Sequence, residues 1–476
     1  MTPHLWRLCD DIVPVHTHDD RDVLVHAAPD GTYEVLSGER EAGEVAATAL
    51  AREDVCGEPA GSRVSRRTVL SSMSALGALG ALGVVSARPR YAFAAPTASA
   101  PAAAPGRAGR DALVVVFLRG AMDGLQVVVP VDDPDYHAAR PGLALRPEQA
   151  LPASPGFGFH PAMRPLLPMW QAGELAAVHA VGNPAASRSH FDAQLAMERS
   201  APASLRSGWL GRHLAATSRS TDLVRAVTVG DRVAVSASGG FPTASFSGEV
   251  TGFDVRGWHG HRAGIERVLA QAHRSAGGAV AADASRAVAG VAALAKARAN
   301  APGSAPYPDD DFGKGLREVA RVLKSGAPVE AACLDLGGWD MHRDHGTPLD
   351  EWGAMRRNLD TFARGLAAFR ADLGTLWGRT TVVTLSEFGR RVQENSAGGT
   401  DHGQGNVMFV AGGSVAGGRV HGRWPGLSAS SLHDGDLAIT TDYRDVIAEV
   451  LTRRLKTPNI AAVFPGHTVT KVGVIR

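Results

Sequence analysis

Apolar, β-branched runs that stop at a polar loop recur along this chain. The clearest is TTVVTL at residues 380–385, which is followed by Glu387, Phe388 and a Gly-rich loop that carries Asp401 and His402. A run this apolar is typical of a strand buried within an α/β sheet. Ligand sites in such sheets lie beyond the carboxyl ends of the strands, so this loop is a candidate metal or hydrolytic site.

Three more apolar runs end in polar residues, and amphipathic helical patterns separate several of them. This alternation predicts an α/β sheet. The first run precedes Arg119 and Asp123, which fit either a turn or a functional site. In the last of the three, Asp340 and His342 alternate, so an extended backbone would point both side chains to one side, as a metal site requires.

The middle run, near residues 174–183, leads into SRSHFDAQLAMER. Ser189 and Asp192 are spaced as in a capping box, which places Ser189 at a helix N-terminus. A helix N-terminus favours anions and lowers the cost of negative charge on an attacking oxygen. Ser189 is therefore either a plain cap or a candidate nucleophile.

Composition excludes some classes of function. The net charge of +1 and the absence of a basic block interleaved with aromatic residues argue against nucleic-acid binding. No glycine-rich phosphate-binding motif follows a strand, so nucleotide binding lacks support. The three cysteines form no CxxC pair, so any metal would need His, Asp or Glu ligands.

Residues 63–94 resemble a twin-arginine export signal. SRRTVL is followed by a short, weakly apolar stretch rich in Gly and Ala and by the small-x-small sequence AFA, with cleavage expected after Ala94. A permanent membrane span is not expected, because it would need about 20 strongly apolar residues. We expect export to the periplasm, cell envelope or extracellular space.

The regions on either side of this signal differ in character. Residues 1–62 predict a hairpin with a turn at Asp30 and Gly31, then a short helix. This extension is either a small module or the product of a start assigned too early. Residues 95–110 are rich in Ala and Pro and predict a flexible linker, so one domain is expected over 111–476.

Eight blocks in order identify the chain from residue 111 onward as a member of the uncharacterised exported DUF1501 family: FLRGAMDGL, SRSHFDAQLAMER, GWLGR, LGGWDMH, SEFGRRVQEN, GGTDHGQGN, RWPGL and TDYRDVIAEVL. That family resembles the alkaline phosphatase and sulfatase superfamily. The resemblance implies an α/β sandwich with a central, mostly parallel sheet flanked by helices and with metals at the strand ends.

The resemblance also implies site residues. The implied metal ligands are Asp123, Asp340, His342, Glu387 and His402, with His190 or Asp401 available for a further position. Ser189 matches the nucleophile best, with Ser187 as the alternative. Phe388 stands where related hydrolases have a histidine ligand, so the resemblance leaves the number of metals open.

The expected function is that of an exported, metal-dependent hydrolase of phosphate or sulfate esters. A divalent ion (Zn, Mn, Ca or Mg) would activate a serine or water. A second ion, or Arg119 and Arg188, would neutralise charge on the ester oxygens. The expected partner is a small anionic ester or a cell-envelope polymer. The alternative is a non-catalytic or degenerate-site envelope protein that binds a polymer or a protein.

Overall fold

A computed structural model describes residues 111–476, apart from 186, 218–223, 240, 242 and 247–302 (where Leu294 and Ala297 are described). Ahead of this range it describes only the backbones of five short strands: Ile12–His16, Asp22–Ala27, Thr32–Val35, Arg63–Ser65 and Arg90–Ala92. The expected signal core, the linker and the short helix expected within residues 1–62 lie largely or wholly outside the described residues.

A ten-stranded sheet forms the centre of the molecule. Its seven principal strands are β1 (Ala112–Leu118), β2 (Leu175–Gly182), β3 (Ala226–Val229), β4 (Thr243–Phe246), β5 (Ala331–Leu336), β6 (Thr380–Leu385) and β9 (Asn406–Gly412). Their order across the sheet is β4-β3-β5-β1-β6-β9-β2. Arg90–Ala92 pairs outside β4, while Val420–His421 and Thr441–Asp442 pair with β2.

The sheet is mostly parallel. Strands β4, β3, β5, β1 and β6 run in the same direction as β2, whereas β9 and Arg90–Ala92 are antiparallel to their neighbours. Leu118 at the end of β1 lies opposite Leu336 at the end of β5, and Phe117 lies opposite Leu385 at the end of β6. The three central strands therefore end at one edge, and their following loops start side by side.

Helices cover both faces because alternate residues of each central strand point to opposite sides. The long helices are α1 (His190–Arg199), α2 (Trp209–Ala216), α3 (Asp311–Lys324), α4 (Ala354–Leu373) and α5 (Tyr443–Arg453). Val114 and Val116 pack in the core that contains α3 and α4, whereas Leu113 and Val115 pack in the core that contains α2 and α5. The expected α/β class with a mostly parallel central sheet flanked by helices is confirmed.

Shorter elements complete the described chain. A hairpin of β7 (Arg390–Glu394) and β8 (Thr400–His402) follows β6. The remaining strands are Val128–Val129, Leu151–Ser154, Phe157–Phe159, Leu432–His433 and Asp436–Leu437. The remaining helical turns are Gly124–Val127, Pro134–Ala139, Pro147–Gln149, Pro161–Leu166, Leu167–Gln171, Val235–Ala237, Gly374–Arg379 and Ile460–Val463.

The hairpin expected near the N-terminus is present. Asp22–Ala27 and Thr32–Val35 pair antiparallel, and they share a four-stranded sheet with Ile12–His16 and Arg63–Ser65. The turn predicted at Asp30 and Gly31 lies outside the described residues. Over the described residues, no helix combines the length and apolarity that crossing a membrane requires.

Candidate metal centre

Three side chains at the carboxyl edge of the sheet present metal-ligand atoms to one point. The ligand atoms of His190, Asp340 and His402 all lie within 4.8 Å of one another, the one such group found in the described part of the chain. His190 opens α1, Asp340 follows β5, and His402 ends β8. Three elements that are distant in sequence thus meet where the central strands end.

A third histidine adjoins this group. His342 Nε2 lies 2.9 Å from His402 Nε2 and 3.1 Å from the nearer Asp340 oxygen. On the other side, His190 Nε2 lies 3.0 Å from His402 Nε2. His402 therefore stands between the other two imidazoles. Asp340 and His342 do face the same point, as their alternation predicted.

Each histidine in this cluster has its other ring nitrogen held by an oxygen. His190 Nδ1 lies 2.8 Å from Glu387 Oε1, and His342 Nδ1 lies 2.9 Å from Asp401 Oδ1. His402 Nδ1 lies 2.9 Å from the Arg188 carbonyl oxygen, which only accepts hydrogen bonds. In the neutral ring the proton is thus on Nδ1, and the Nε2 lone pair faces the cluster.

When all three rings are in this form, the Nε2 lone pairs of His190 and His342 face that of His402 and repel it unless a cation lies between them. Burial, together with the nearby charge of Arg390, lowers the pKa of His402 and favours its neutral ring. Its Nε2 then offers no proton to the neighbouring nitrogens. A divalent cation held by His190, His402 and Asp340 would take up the facing lone pairs of both rings and the charge of the carboxylate. Two imidazoles and one carboxylate with an open position make a common catalytic zinc ligand set.

Arg390 fixes the loops that carry this cluster. Its buried guanidinium donates to Asp340 Oδ1 at 2.7 Å and to the carbonyls of Ala121 and Thr400 at 2.7 and 2.8 Å. Burial favours the neutral acid, but this cation outweighs that effect and lowers the pKa of Asp340. The loop after β1 also passes very close by, since a Cβ on Gly120 would lie 2.5 Å from the Asp340 nitrogen.

Glu387 supports His190 from behind instead of facing the cluster. Its Oε1 accepts hydrogen bonds from His190, from Gln194 Nε2 at 2.8 Å and from the Gly120 nitrogen at 2.9 Å. Burial opposes ionisation, but these donors lower the pKa of Glu387 below its usual range. The structure thus places Glu387 in contact with the candidate ligand His190 and not among the ligand atoms, because its Oε1 already accepts three hydrogen bonds.

Asp123 also lies outside the metal-ligand group, in contrast to the role implied by the resemblance. Its Oδ2 accepts from Arg140 Nη1 at 2.7 Å and from Thr400 Oγ1 at 3.3 Å. His345 Nε2 lies 3.5 Å away. Burial favours the neutral form, but Arg140 and His345 hold the pKa of Asp123 well below its usual range. A charge-paired carboxylate of this kind secures the hairpin that carries His402.

The candidate nucleophiles lie beside the cluster. Ser189 is the N-cap of α1 as predicted, but its hydroxyl makes no capping hydrogen bond, which differs from the expected capping box. Instead, the Ser189 nitrogen donates to Ser187 Oγ at 3.2 Å. Both serines are exposed, and Ser189 is bonded directly to His190. The Ser189 hydroxyl is therefore the less engaged of the two.

The two arginines expected to bind substrate oxygens are paired with carboxylates. Arg119 donates to Asp335 at 2.7 Å and contacts Glu198 at 3.5 Å. Arg188 forms an ion pair with the buried carboxylate of Asp436. Their guanidinium charges are thus already compensated within the described chain.

Phe388 is part of the wall of the cluster. Its ring centre lies 5.0 Å from that of His190 and 4.8 Å from that of His402, and the side chain is buried. Phe388 thus packs an aromatic ring against two candidate ligands.

Sequence reasoning missed Gln194, Arg390 and Arg140. Gln194 could have been found, since it lies four residues after His190 and so on the same face of α1. Arg390 is close to Glu387 in sequence, but nothing there indicates that its side chain joins three loops. Arg140 carried no sequence signal, because its contacts are with residues far along the chain.

The fold and this cluster define an α/β protein with a candidate metal centre at the carboxyl edge of its sheet. The chain belongs to the DUF1501 family, described as a protein of unknown function, whose family model matches residues 146–457. The predicted family membership is confirmed. No curated protein matches the sequence significantly.

Solved structures similar to this chain come from the groups expected. They include the lipoteichoic acid synthase LtaP from Listeria monocytogenes (10% identity, 75% of this chain and 74% of that chain, TM-score 0.32). A mutant of the alkaline phosphatase PafA is also similar (10% identity, 60% of this chain and 64% of that chain, TM-score 0.30). So is the sulfatase PsFucS1 from Pseudoalteromonas sp. (10% identity, 77% of this chain and 73% of that chain, TM-score 0.32). At this level the likeness carries no argument about activity.

Proposed function

We propose that this chain is a metal-dependent hydrolase of phosphate or sulfate esters. The observation that carries the proposal is the meeting of the Nε2 atoms of His190, His342 and His402 beside the Asp340 carboxylate. Each of these imidazoles has an oxygen acceptor at Nδ1, which is the usual support of a metal-binding histidine.

The donor set narrows the choice of ion. Ca²⁺ and Mg²⁺ prefer oxygen ligands, whereas imidazole nitrogen suits zinc and other transition metals. Zinc is therefore the first candidate and manganese the second. When bound, such an ion would act as a Lewis acid that polarises an ester oxygen.

The residues of the chain supply the other parts of the reaction. The Ser189 hydroxyl would attack the phosphorus or sulfur atom while the bond to the leaving oxygen breaks, and the proton lost from the hydroxyl would pass through solvent to that leaving oxygen. Water would then attack the phosphate or sulfate ester of Ser189, which releases the inorganic anion and restores the hydroxyl. The position of Ser189 at the N-cap of α1 favours the negative charge that develops on the attacking oxygen. Water or Ser187 is the alternative nucleophile. Arg390 would keep the Asp340 carboxylate ionised and oriented.

Phe388 favours a site for one ion, because its ring packs against His190 and His402. This observation also supports a second candidate function. In that case the chain would be an envelope protein with a degenerate site, which binds a small anionic ester or an envelope polymer without hydrolysing it.

Export is part of the proposal and rests on the sequence at residues 63–94. The strand Arg90–Ala92 lies just before the expected cleavage site after Ala94, and it pairs with β4 at the edge of the sheet. Cleavage there would remove this edge strand and leave all seven principal strands in place. Determination of the N-terminus of protein recovered from the cell envelope tests this point.

The function is tested with protein matured through its native export route. We expect about one equivalent of transition metal per chain and turnover of at least one aryl phosphate or sulfate in a panel assayed with zinc and manganese. His402→Ala should abolish both, whereas His433→Ala should not, since His433 is exposed and hydrogen-bonds Gln404 outside the cluster. Metal binding without turnover favours the second candidate, and a metal-free wild-type protein overturns the first.

A further inference from the structure

We infer that Gln194 and Arg119 are positioning residues that hold His190 in its metal-binding orientation. The inference rests on the proposed metal centre and assigns Arg119 a role other than binding substrate. The chain of contacts runs from Arg119 through Gln194 and Glu387 to His190, and every member is described in the structure.

One face of α1 carries the first part of this network. His190, Gln194 and Glu198 are spaced by four residues, so their side chains line the same side of the helix. His190 and Gln194 both contact Glu387, while Glu198 contacts Arg119 and accepts from the Ser236 nitrogen at 3.4 Å. The stripe faces the loops after β1 and β6.

Arg119 determines which way the Gln194 amide points. A guanidinium can only donate, so the Gln194 oxygen must face Arg119 Nη1, which lies 3.1 Å away. The amide nitrogen is then directed at Glu387 Oε1, 2.8 Å away. If the amide turned over, two oxygens would face each other at Glu387. The pairing with Arg119 therefore selects the productive orientation.

Glu387 in turn orients the His190 ring through a hydrogen bond. Its Oε1 receives the Gln194 amide and the Gly120 nitrogen, so the carboxylate is fixed before His190 Nδ1 approaches it. The fixed acceptor keeps the His190 proton on Nδ1 and its lone pair on Nε2, toward Asp340 and His402. Without Gln194, the carboxylate and the imidazole would both gain freedom to turn.

Arg119 is itself held firmly. Its guanidinium donates from Nε to Asp335 at 2.7 Å and lies 4.2 Å from the centre of the Phe117 ring. Phe117 and Asp335 belong to the adjacent strands β1 and β5. These contacts anchor Arg119 to two central strands of the sheet, and Arg119 in turn orients His190 through Gln194 and Glu387.

The test measures zinc dissociation constants of the full chain by competition with a chromogenic chelator. We expect Gln194→Leu and Arg119→Met each to weaken zinc binding by about tenfold, as loss of such supporting contacts does. The double variant should bind no more weakly than about the weaker single variant, because both act through one contact chain. Phe191→Ala is the matched control, since its side chain is on α1 but 87% exposed.

A second readout separates positioning from general structural damage. Nitrogen-15 NMR of the histidine rings in metal-free protein should show one Nδ1–H tautomer for His190 in the wild type and a mixture in Gln194→Leu. Arg119→Lys, which keeps the positive charge, covers the case in which Arg119→Met does not fold. This variant should also weaken zinc binding, because an ammonium group cannot reach Asp335 and Gln194 as a fork does.

The outcomes separate this inference from the proposed function. If the wild type binds no metal, the proposed function fails, and this inference fails with it. If the wild type binds zinc tightly and the Gln194 and Arg119 variants bind it equally tightly, only this inference is overturned. Multiplicative losses in the double variant, or an unchanged His190 tautomer in Gln194→Leu, would also overturn it.

Discussion

Two polar clusters lie close together at the carboxyl edge of the sheet, and they differ in exposure and in partners. In the candidate metal centre, the side chains of His190, Asp340 and His402 are 23%, 49% and 22% exposed. In the cluster beneath it, those of Asp123 and Arg140 are 3% and 0% exposed. Both contain an acid that follows a central strand, so strand position alone does not distinguish them.

The difference lies in the charged partners of each acid. Asp123 is neutralised by Arg140, which also donates to the carbonyl oxygen of Val392 on β7, and a cation there would meet the charge of Arg140. Asp340 receives Arg390 on one oxygen, yet it still faces nitrogens of His190, His342 and His402. The buried pair therefore serves the fold, and the exposed cluster has the ligands to hold an ion.

The largest effect should follow from breaking the buried pair. Arg140→Met leaves the Asp123 carboxylate buried without its cation, which should destabilise the protein by about 3–5 kcal/mol. Chemical unfolding of the metal-free protein measures this loss. Adding Asp123→Asn should restore part of the stability. A loss below about 1 kcal/mol would mean that Asp123 is not a structural ion pair.

Removal of a candidate metal ligand should weaken zinc binding strongly and change stability little, unlike Arg140→Met. His402→Ala should weaken zinc binding by about 100-fold or more, equivalent to about 3 kcal/mol, while the metal-free stability changes by less than about 1 kcal/mol. Titration with zinc and unfolding of the metal-free form give the two numbers. Unchanged zinc affinity would place the metal elsewhere.

An intermediate effect is expected at Glu387, which touches a ligand without being one. Glu387→Gln keeps the side-chain size but replaces the carboxylate acceptor of His190 Nδ1 with a weaker amide. Zinc binding should weaken by about tenfold, between the wild type and His402→Ala. A loss as large as that of His402→Ala would indicate that Glu387 is a direct ligand, as the sequence resemblance implied.

A further effect concerns pH and the buried His160. Burial lowers the pKa of His160 to about 3, whereas the ordinary value in an unfolded chain is about 6.5. The unfolded chain therefore takes up a proton at this site between those values and the folded protein does not. Stability should fall as pH decreases from about 6.5 toward 3.

His160→Asn should reduce this slope, because asparagine has no titrating group and can still accept from the Ala162 nitrogen as His160 Nδ1 does. Unfolding free energies of the metal-free protein at pH 7 and pH 5 give the slope for each variant. Equal slopes in the wild type and the variant would contradict a buried, neutral His160.

The sequence predicted much of the fold because its central strands are locally distinct. TTVVTL and ALVVVFL consist of β-branched and apolar residues that are buried along their whole length, and they form β6 and β1. The residues that follow these strands were correspondingly visible as candidates. The meeting of Asp340 with His342 was predicted from their alternation alone.

The sequence did not predict which candidates would become partners of one another. Asp123 looked like a ligand because Arg140, which neutralises it, lies 17 residues away and reaches it only through the tertiary fold. Similarly, Glu387 follows the central strand β6, a position that favours a metal ligand. Donors from α1 and the loop after β1 nevertheless occupy its carboxylate. Charge compensation across the fold separates a ligand from a structural acid.

A crystal structure of the natively exported protein, with anomalous diffraction collected on both sides of the zinc and manganese absorption edges, would locate and identify a bound metal. We expect one transition-metal peak bound by His190, Asp340 and His402, with Asp123 still paired with Arg140. A peak bound by Asp123, or no metal peak at the cluster, would contradict this expectation.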